Sequence, residues 1–203
     1  MIKLHFAPLT RSIRIKWLME ELSLDHQLVL GSFNRDGTKG FAQSTPTGNY
    51  PYFEDGDVTL SESGAIVQYV LETYGKGRLE PPVASPYRPA YLHWLHFSEG
   101  TAANPINLTV WLTVYRQDAE KHSAIIEASK GSANHIFDGV ESALSDQAFL
   151  VSDEFTAADI MMGFTLISAM YLQVLTDSHP RTVAYVNRLL ARPCLQRTLA
   201  VGN

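Results

Sequence analysis

The sequence predicts an α/β N-terminal half followed by an all-α half. Three observations carry that division. Strand and helix signals alternate over roughly the first eighty residues. A proline-punctuated stretch at 79–89 follows, with Pro81, Pro82, Pro86 and Pro89, and reads as a linker. Beyond it, apolar residues recur only at helical spacing.

The elements follow in order. Ile2, Leu4 and Phe6 alternate with Lys3 and His5, the period of a strand with one buried face. Pro8 ends it. Ile15, Leu18, Met19 and Leu22 then form one apolar stripe at i, i+3, i+4, i+7, so a helix is expected over 12–24 with Glu20 and Glu21 facing out. Gln27–Leu30 reads as a second strand ended by Gly31. The glycine-rich segment 31–49 is expected to be mainly loop. Tyr52–Glu54 and Val58–Leu60 flank Asp55-Gly56-Asp57, a hairpin signal. A helix is expected from near Ser61 to about Tyr74, closed by Gly75 and Gly77. Four strands in one mixed sheet with helices on its faces is the thioredoxin-like arrangement. The helix at 12–24 supplies the crossover that its parallel pair requires.

After the linker, Tyr91, Trp94, Leu95 and Ser98 mark one helix, and Leu108, Trp111, Leu112 and Tyr115 continue it beyond Pro105. Pro105 is expected to kink or divide that segment. Ile125, Ile126, Ile136, Phe137, Val140 and Leu144 mark another, and Phe155–Leu175 and Thr182–Ala191 give two more. Thr156-Ala157-Ala158-Asp159 is a capping box, flanked by Phe155 and Ile160 as a hydrophobic staple. The division is therefore 1–78, linker 79–89, and 90–203.

Composition narrows the function. With 203 residues, of which 45% are apolar, the chain can bury about 70% of its unfolded surface and needs no staple. A single cysteine rules out an internal disulfide and multi-cysteine metal sites. The N-terminus alternates, so it does not read as a signal peptide, and no apolar run approaches about 18 residues. The cytoplasm is the expected compartment, no membrane partner is expected, and Asn107-Leu108-Thr109 is read as ordinary chain rather than a glycosylation site. A net charge of −5 without a basic run argues against nucleic acid. His93 and His96 lie at i, i+3, but no third metal ligand is evident. Cys194 follows Pro193, far in sequence from the segments below, and is expected to be a small buried residue.

Three segments, taken together, resemble the glutathione transferase superfamily. Thr10-Arg11-Ser12-Ile13-Arg14-Ile15-Lys16-Trp17-Leu18-Met19-Glu20-Glu21-Leu22 is similar to the family's first helix. Pro46-Thr47-Gly48-Asn49-Tyr50-Pro51-Tyr52-Phe53, followed by Leu60-Ser61-Glu62-Ser63-Gly64-Ala65-Ile66, is similar to its cis-proline loop and glutamate–serine motif. Phe155–Ile160 is similar to its capping box, and Trp94-Leu95-His96-Phe97-Ser98-Glu99-Gly100 resembles bacterial and fungal cytosolic members. The resemblance implies a cytosolic homodimer whose N-terminal domain binds glutathione. Glutathione would be a co-substrate with a hydrophobic electrophile, and no cofactor is implied.

The chemistry sets what such a site must supply. The thiol of glutathione titrates at or above about 8.5, and lowering it by about 2 units requires roughly 2.7 kcal/mol of preference for the anion. A hydroxyl bond to a charged acceptor gives about 1.5–3 kcal/mol, and a helix N-terminus adds about 0.3–1 kcal/mol. A hydroxyl at the first turn of a helix therefore suffices. Thr10 and Ser12 are such hydroxyls, and either could instead serve only as the N-cap. Arg11 beside them is read mainly as a surface charge. The resemblance implies a cis Tyr50–Pro51 bond that presents the Tyr50 backbone to the cysteinyl part of glutathione in β fashion. Asn49 stands where many members have a cation, with Arg35 and Lys39 as possible substitutes. Ser63 and the helix amides suit the γ-glutamyl carboxylate, and Glu62 suits its ammonium. Asn104, Leu108, Trp111, Leu112 and Tyr115 are candidates to face the electrophile, and Glu99 to approach a partner subunit's glutathione.

The leading expectation is therefore a glutathione transferase. A glutathione-dependent disulfide reductase, or a lyase cleaving ether or halide bonds, would use the same thiolate. A non-catalytic binding or scaffold protein on this fold remains a third reading.

Overall fold

The alternation at the N-terminus becomes an inner strand of a four-stranded sheet. Ile2–Phe6 is β1, with Ile2, Leu4 and Phe6 buried. The computed structural model describes residues 1–31 and 45–201. It divides into two units: residues 1–79 with the chain from Leu190 onward, and Glu80–Leu189.

In the first unit, helix α1 (Ser12–Leu22) leads to β2 (His26–Leu30), and the hairpin of β3 (Tyr52–Asp55) and β4 (Val58–Leu60) follows. The sheet order is β2-β1-β3-β4, parallel for β1 with β2 and antiparallel elsewhere. Gly56 takes φ +59° at the hairpin turn, a conformation in which a Cβ is unfavourable. Helix α2 (Ser63–Val70) widens into a π-helical turn over Leu71–Gly75. Tyr69 and Tyr74 both donate to the Asp55 carboxylate, tying the hairpin to this helix. That bond pushes the Tyr74 phenol up to about 12. Gly75 does not end the helix as expected. It stays inside the turn, where an added Cβ would lie 3.3 Å from Leu71 Cδ2, and Lys76 takes the left-handed closing position with φ 51°.

Expectations about α1 and about the C-terminal segment are corrected. Ser12 through Met19 are all buried, so α1 is enclosed on more than its apolar stripe. Glu20 and Glu21 do not face open solvent. Arg192 donates to both oxygens of Glu21 at 2.8 and 2.9 Å, Trp17 donates to the same carboxylate, and Arg197 reaches Glu20 at 2.8 Å. These arginines flank or belong to a short helix, α8 (Pro193–Leu199), which the apolar pattern did not mark. This is why the chain beyond Leu190 groups with the first unit, although its sequence continues the helical half. Cys194 is half-buried, with Arg197 donating to its sulfur at 3.2 Å, instead of being enclosed as a small core residue.

The second unit is helical, and no described residue beyond Leu60 forms a strand. Helix α3 (Arg88–Phe97) begins at the end of the expected linker, with Pro89 in its first turn, where a missing N–H is harmless. A π-helical turn over Ser98–Ala102 then leads into α4 (Ala103–Val110). Pro105 thus neither ends nor splits the helix. It sits in the first turn of α4, just after the π turn has changed the hydrogen-bond register, where its absent donor costs least. A second π turn, Trp111–Tyr115, extends α4. Helices α5 (Ser123–Ala143), α6 (Ala157–Tyr171) and α7 (Pro180–Leu190, reaching the edge of the unit) complete the order. Ile126, Ile136, Phe137 and Val140 line the buried face of α5, whereas Ile125 is exposed.

The capping box forms as read. The Thr156 amide donates to Asp159 at 2.8 Å, and the reciprocal bond is present. Asp159 does more than cap. Wholly buried, it also accepts the Leu150 amide at 2.9 Å and the Tyr185 hydroxyl at 2.8 Å, so one carboxylate joins α6, α7 and the preceding loop.

Candidate functional site

Sheet register decides which segments meet. Phe6 pairs with Leu30, His5 with Tyr52 and Phe53 with Leu60. The exits of β1, β2 and β4 and the entry to β3 therefore share one end of the sheet. The turn at Thr10, Gly31, the Tyr50–Pro51 loop and the Glu62–Ser63 segment all emerge there, although up to about fifty residues separate them along the chain.

The turn from β1 to α1 is held by two hydroxyls. Leu9 adopts φ 62°, uncommon for a side chain with a Cβ, and lets the chain reverse before α1. Ser12 Oγ accepts the Ala7 amide at 3.1 Å and lies 3.0 Å from the Ala7 carbonyl. Thr10 Oγ1 lies 2.8 Å from that same carbonyl and 2.7 Å from Ser12 Oγ, and accepts the Ser12 amide at 3.3 Å. Each hydroxyl carries one proton. One proton can go to the carbonyl and one across the Thr10–Ser12 contact. The two hydroxyls differ in access: Ser12 is fully buried and Thr10 is half-buried.

The loop before β3 is similarly braced. Tyr50–Pro51 is cis. Thr45 donates its hydroxyl to the Asn49 carbonyl at 2.7 Å, and the Gly48 amide bonds the Thr45 carbonyl at 2.9 Å, with Gly48 at φ 71°. The Tyr50 ring is buried, which pushes its phenol up. It lies against Gly31, where an added Cβ would stand 1.9 Å from the Tyr50 hydroxyl. Asn49 is exposed and spends its side-chain amide on the Thr47 carbonyl at 3.1 Å. Arg35 and Lys39 lie outside the described residues.

At the third segment, Glu62 is exposed and Ser63 buried. Ser63 begins α2, and the first amides of a helix have no acceptor within it. Arg14, fully buried on α1, donates through Nη1 to Ser63 Oγ at 3.1 Å. One helix thus carries Ser12 and the partner of Ser63.

Sequence reasoning missed Arg14 and Gly31. Arg14 had a visible signal: it lies at i−4 from Leu18 and i−8 from Leu22, a charge on the buried stripe. Gly31 reads in the sequence only as the end of a strand, and nothing local shows that Tyr50 approaches it.

In the second unit, the residues considered for an electrophile separate. Leu112 is core, Tyr115 is half-buried, and Asn104, Leu108 and Trp111 are exposed on α4 and its extension. His93 and His96 are exposed, and the His93 ring stacks on Phe97 at 5.3 Å. Among the described residues, no group of three His, Cys, Asp or Glu could hold a metal ion, and no helix is long and apolar enough to cross a membrane.

The first unit is thus built on a mixed four-stranded sheet, and the second is helical. Comparison with known proteins gives this two-part fold its family. Residues 1–72 match the family model for the glutathione S-transferase N-terminal domain, and residues 103–193 match the one for its C-terminal domain. A glutathione S-transferase of Nicotiana tabacum is 27% identical over 201 residues, covering 95% of this chain and 94% of the relative. Glutathione S-transferase 3 of Schizosaccharomyces pombe is 28% identical over 181 residues, covering 83% and 74%. Among solved structures, a glutathione transferase of Phanerochaete chrysosporium with oxidised glutathione superposes with a TM-score of 0.81 at 25% identity, covering 97% of this chain and 92% of that one. The chain belongs to the glutathione S-transferase superfamily.

Proposed function

We propose that this protein transfers the glutathione thiolate to a hydrophobic electrophile, with residues 1–78 binding the tripeptide. The observation that carries this reading is the half-buried Thr10 hydroxyl in the turn that leads into α1, backed by Ser12 at the helix start. When Ser12 donates to Thr10 Oγ1, the Thr10 proton can turn from the Ala7 carbonyl to a sulfur anion. The Ala7 carbonyl then loses its one hydroxyl donor, and the turn gains a charge-assisted bond. Thr10 is the thiol's donor in this account, and Ser12, fully buried, aims it.

Tyr50 and Pro51 would align the cysteinyl backbone, Glu62 the ammonium, and Ser63 with the α2 amides the γ-glutamyl carboxylate. Asn49 is neutral and already engaged, so it offers hydrogen bonding but no counter-charge to the glycyl end. The relatives support glutathione as the ligand, since one was solved with its oxidised form. The same reading extends to a cytoplasmic homodimer acting in detoxification.

Titrating the protein with glutathione while following thiolate ultraviolet absorbance against pH tests the core of it. Saturable binding with a thiol pKa well below the free value is expected. Binding without that shift would make the protein a carrier, and no binding at millimolar glutathione would overturn the reading.

A further inference from the structure

The hairpin turn between β3 and β4 carries a reactive pair. In an Asp-Gly sequence the glycine nitrogen can attack the aspartate side chain, because glycine has no Cβ to block the approach. The N–Cγ bond forms, and the carboxyl hydroxyl leaves with the amide proton as water. Water then reopens the cyclic imide at either carbonyl. One opening restores aspartate. The other routes the main chain through the side chain as isoaspartate, with no net change in mass and one extra methylene in the backbone.

The sequence holds three such pairs, beginning at Asp36, Asp55 and Asp138. The first lies outside the described residues. Asp138-Gly139 lies inside α5, where the helix fixes the backbone. Asp55-Gly56 is the open one. Gly56 and Asp57 are exposed in a two-residue turn closed by the Asp55–Val58 pair. An added Cβ at Gly56 would meet nothing within 4 Å, so no neighbouring element covers it. The Asp55 side chain, by contrast, is restrained twice. Tyr69 of α2 donates to its Oδ2 at 3.0 Å, and Tyr74 of the following π turn donates to the same oxygen. The Tyr69 ring is itself set edge-on against the buried Phe53, with centroids 5.8 Å apart.

We infer that Tyr69 and Tyr74 guard Asp55-Gly56 against isoaspartate formation. For Cγ to close on the Gly56 nitrogen, the side chain must rotate and carry Oδ2 off both phenols. What the guard preserves is hairpin register. An extra methylene at the turn would offset the Asp55–Val58 and Phe53–Leu60 pairs, and β4 is the strand that delivers the chain to Ser63. The inference is independent of the ligand the protein binds.

The test is an ageing experiment on the full chain at neutral pH, below the melting temperature. Isoaspartate at each Asp-Gly pair is read by peptide mapping with electron-transfer fragmentation. Four samples are compared: wild type, wild type held unfolded in denaturant, Tyr69→Phe/Tyr74→Phe, and Glu21→Gln, which weakens the first unit without touching either phenol. Loss of a bond to a charged acceptor corresponds to about tenfold or more. The double variant should therefore form isoaspartate at Asp55 at least about tenfold faster than folded wild type and approach the unfolded rate. Asp138 in the double variant, and Asp55 in Glu21→Gln, should stay at their wild-type rates.

A folded double variant that ages at Asp55 no faster than wild type overturns the inference. So does a wild-type protein whose Asp55 converts as fast folded as unfolded. A rise in Glu21→Gln equal to that in the double variant also overturns it, since general loosening then accounts for the rate. Should the double variant not fold, Tyr69→Phe alone keeps the ring against Phe53 and removes one donor. Its Asp55 rate should rise by about threefold or more, and an unchanged rate overturns the inference.

Discussion

Replacing Thr10 by Val removes one hydroxyl and keeps the branched shape, so it tests the thiol donor with little change in volume. In the structure that hydroxyl is 2.8 Å from the Ala7 carbonyl, 2.7 Å from Ser12 Oγ and 3.3 Å from the Ser12 amide. Loss of a hydrogen bond to an anion removes about 1.5–3 kcal/mol, which is about 1–2 pKa units. The bound thiol should therefore titrate that much higher in Thr10→Val. Below the wild-type thiol pKa, kcat/KM should fall by about 10- to 100-fold. At high pH the two proteins should converge, because the thiolate then forms without help. Thr10→Ser should stay close to wild type. Ser12→Ala should behave differently. It leaves the buried Ala7 amide without its acceptor, so the first change is lower thermal stability, with a smaller thiol shift than in Thr10→Val. The assay is the thiolate titration joined to a pH profile of turnover with an aryl halide. An unchanged thiol pKa in folded Thr10→Val would refute the assignment, and a larger shift in Ser12→Ala would transfer the donor role to Ser12.

Other perturbations read the framework around the site. Gly31→Ala would drive its methyl to 1.9 Å from the Tyr50 hydroxyl, so the buried ring and its loop must move. Glutathione affinity should drop by tenfold or more while circular dichroism keeps its helical content. Glu21→Gln should destabilise the first unit by about 2 kcal/mol, since it weakens bonds from Arg192 and Trp17. Melting temperature would fall by about 4–8 °C, and Arg192→Ala in the same background should add little. Burial works to raise the Glu21 carboxyl, but the bonds from Arg192 and Trp17 outweigh it and hold it below the ordinary glutamate value. A carboxyl lower in the folded than in the unfolded state stabilises above its unfolded pKa. That contribution should be lost as pH falls from the ordinary glutamate value through the folded one, and acid melts of Glu21→Gln should show a shallower decline. Asp159→Ala should cost about 3 kcal/mol or more, because the buried Thr156 and Leu150 amides and the Tyr185 hydroxyl lose their acceptor together. Chemical denaturation of the second unit would show it, and Thr156→Ala should cost less, about 0.5–2 kcal/mol.

What was legible in the sequence follows from the range of each signal. Period-two alternation at Ile2–Phe6, the Asp55-Gly56-Asp57 turn and the Thr156–Asp159 box each act within about four residues, and the structure forms all three. Thr10, Tyr50, Pro51 and Ser63 become candidates through family resemblance, which carries information that no local pattern holds. The misreadings concern charges on α1. Glu21 was assigned to solvent because its partner, Arg192, lies 171 positions away on a segment with no strong apolar stripe. Arg14 interrupts the stripe of its own helix without a local cause, because an acceptor of its guanidinium lies 49 positions on. A helix pattern treats every charge as seeking water. That holds while the helix has one solvated face, and α1 is enclosed from Ser12 through Met19. On such a helix a charge needs a distant partner, and its presence on the apolar stripe is the evidence that one exists. The interrupted stripe is therefore a signal for a long-range contact, here from Arg14 to Ser63, and it can be read as one wherever a first helix is expected to be covered on both sides.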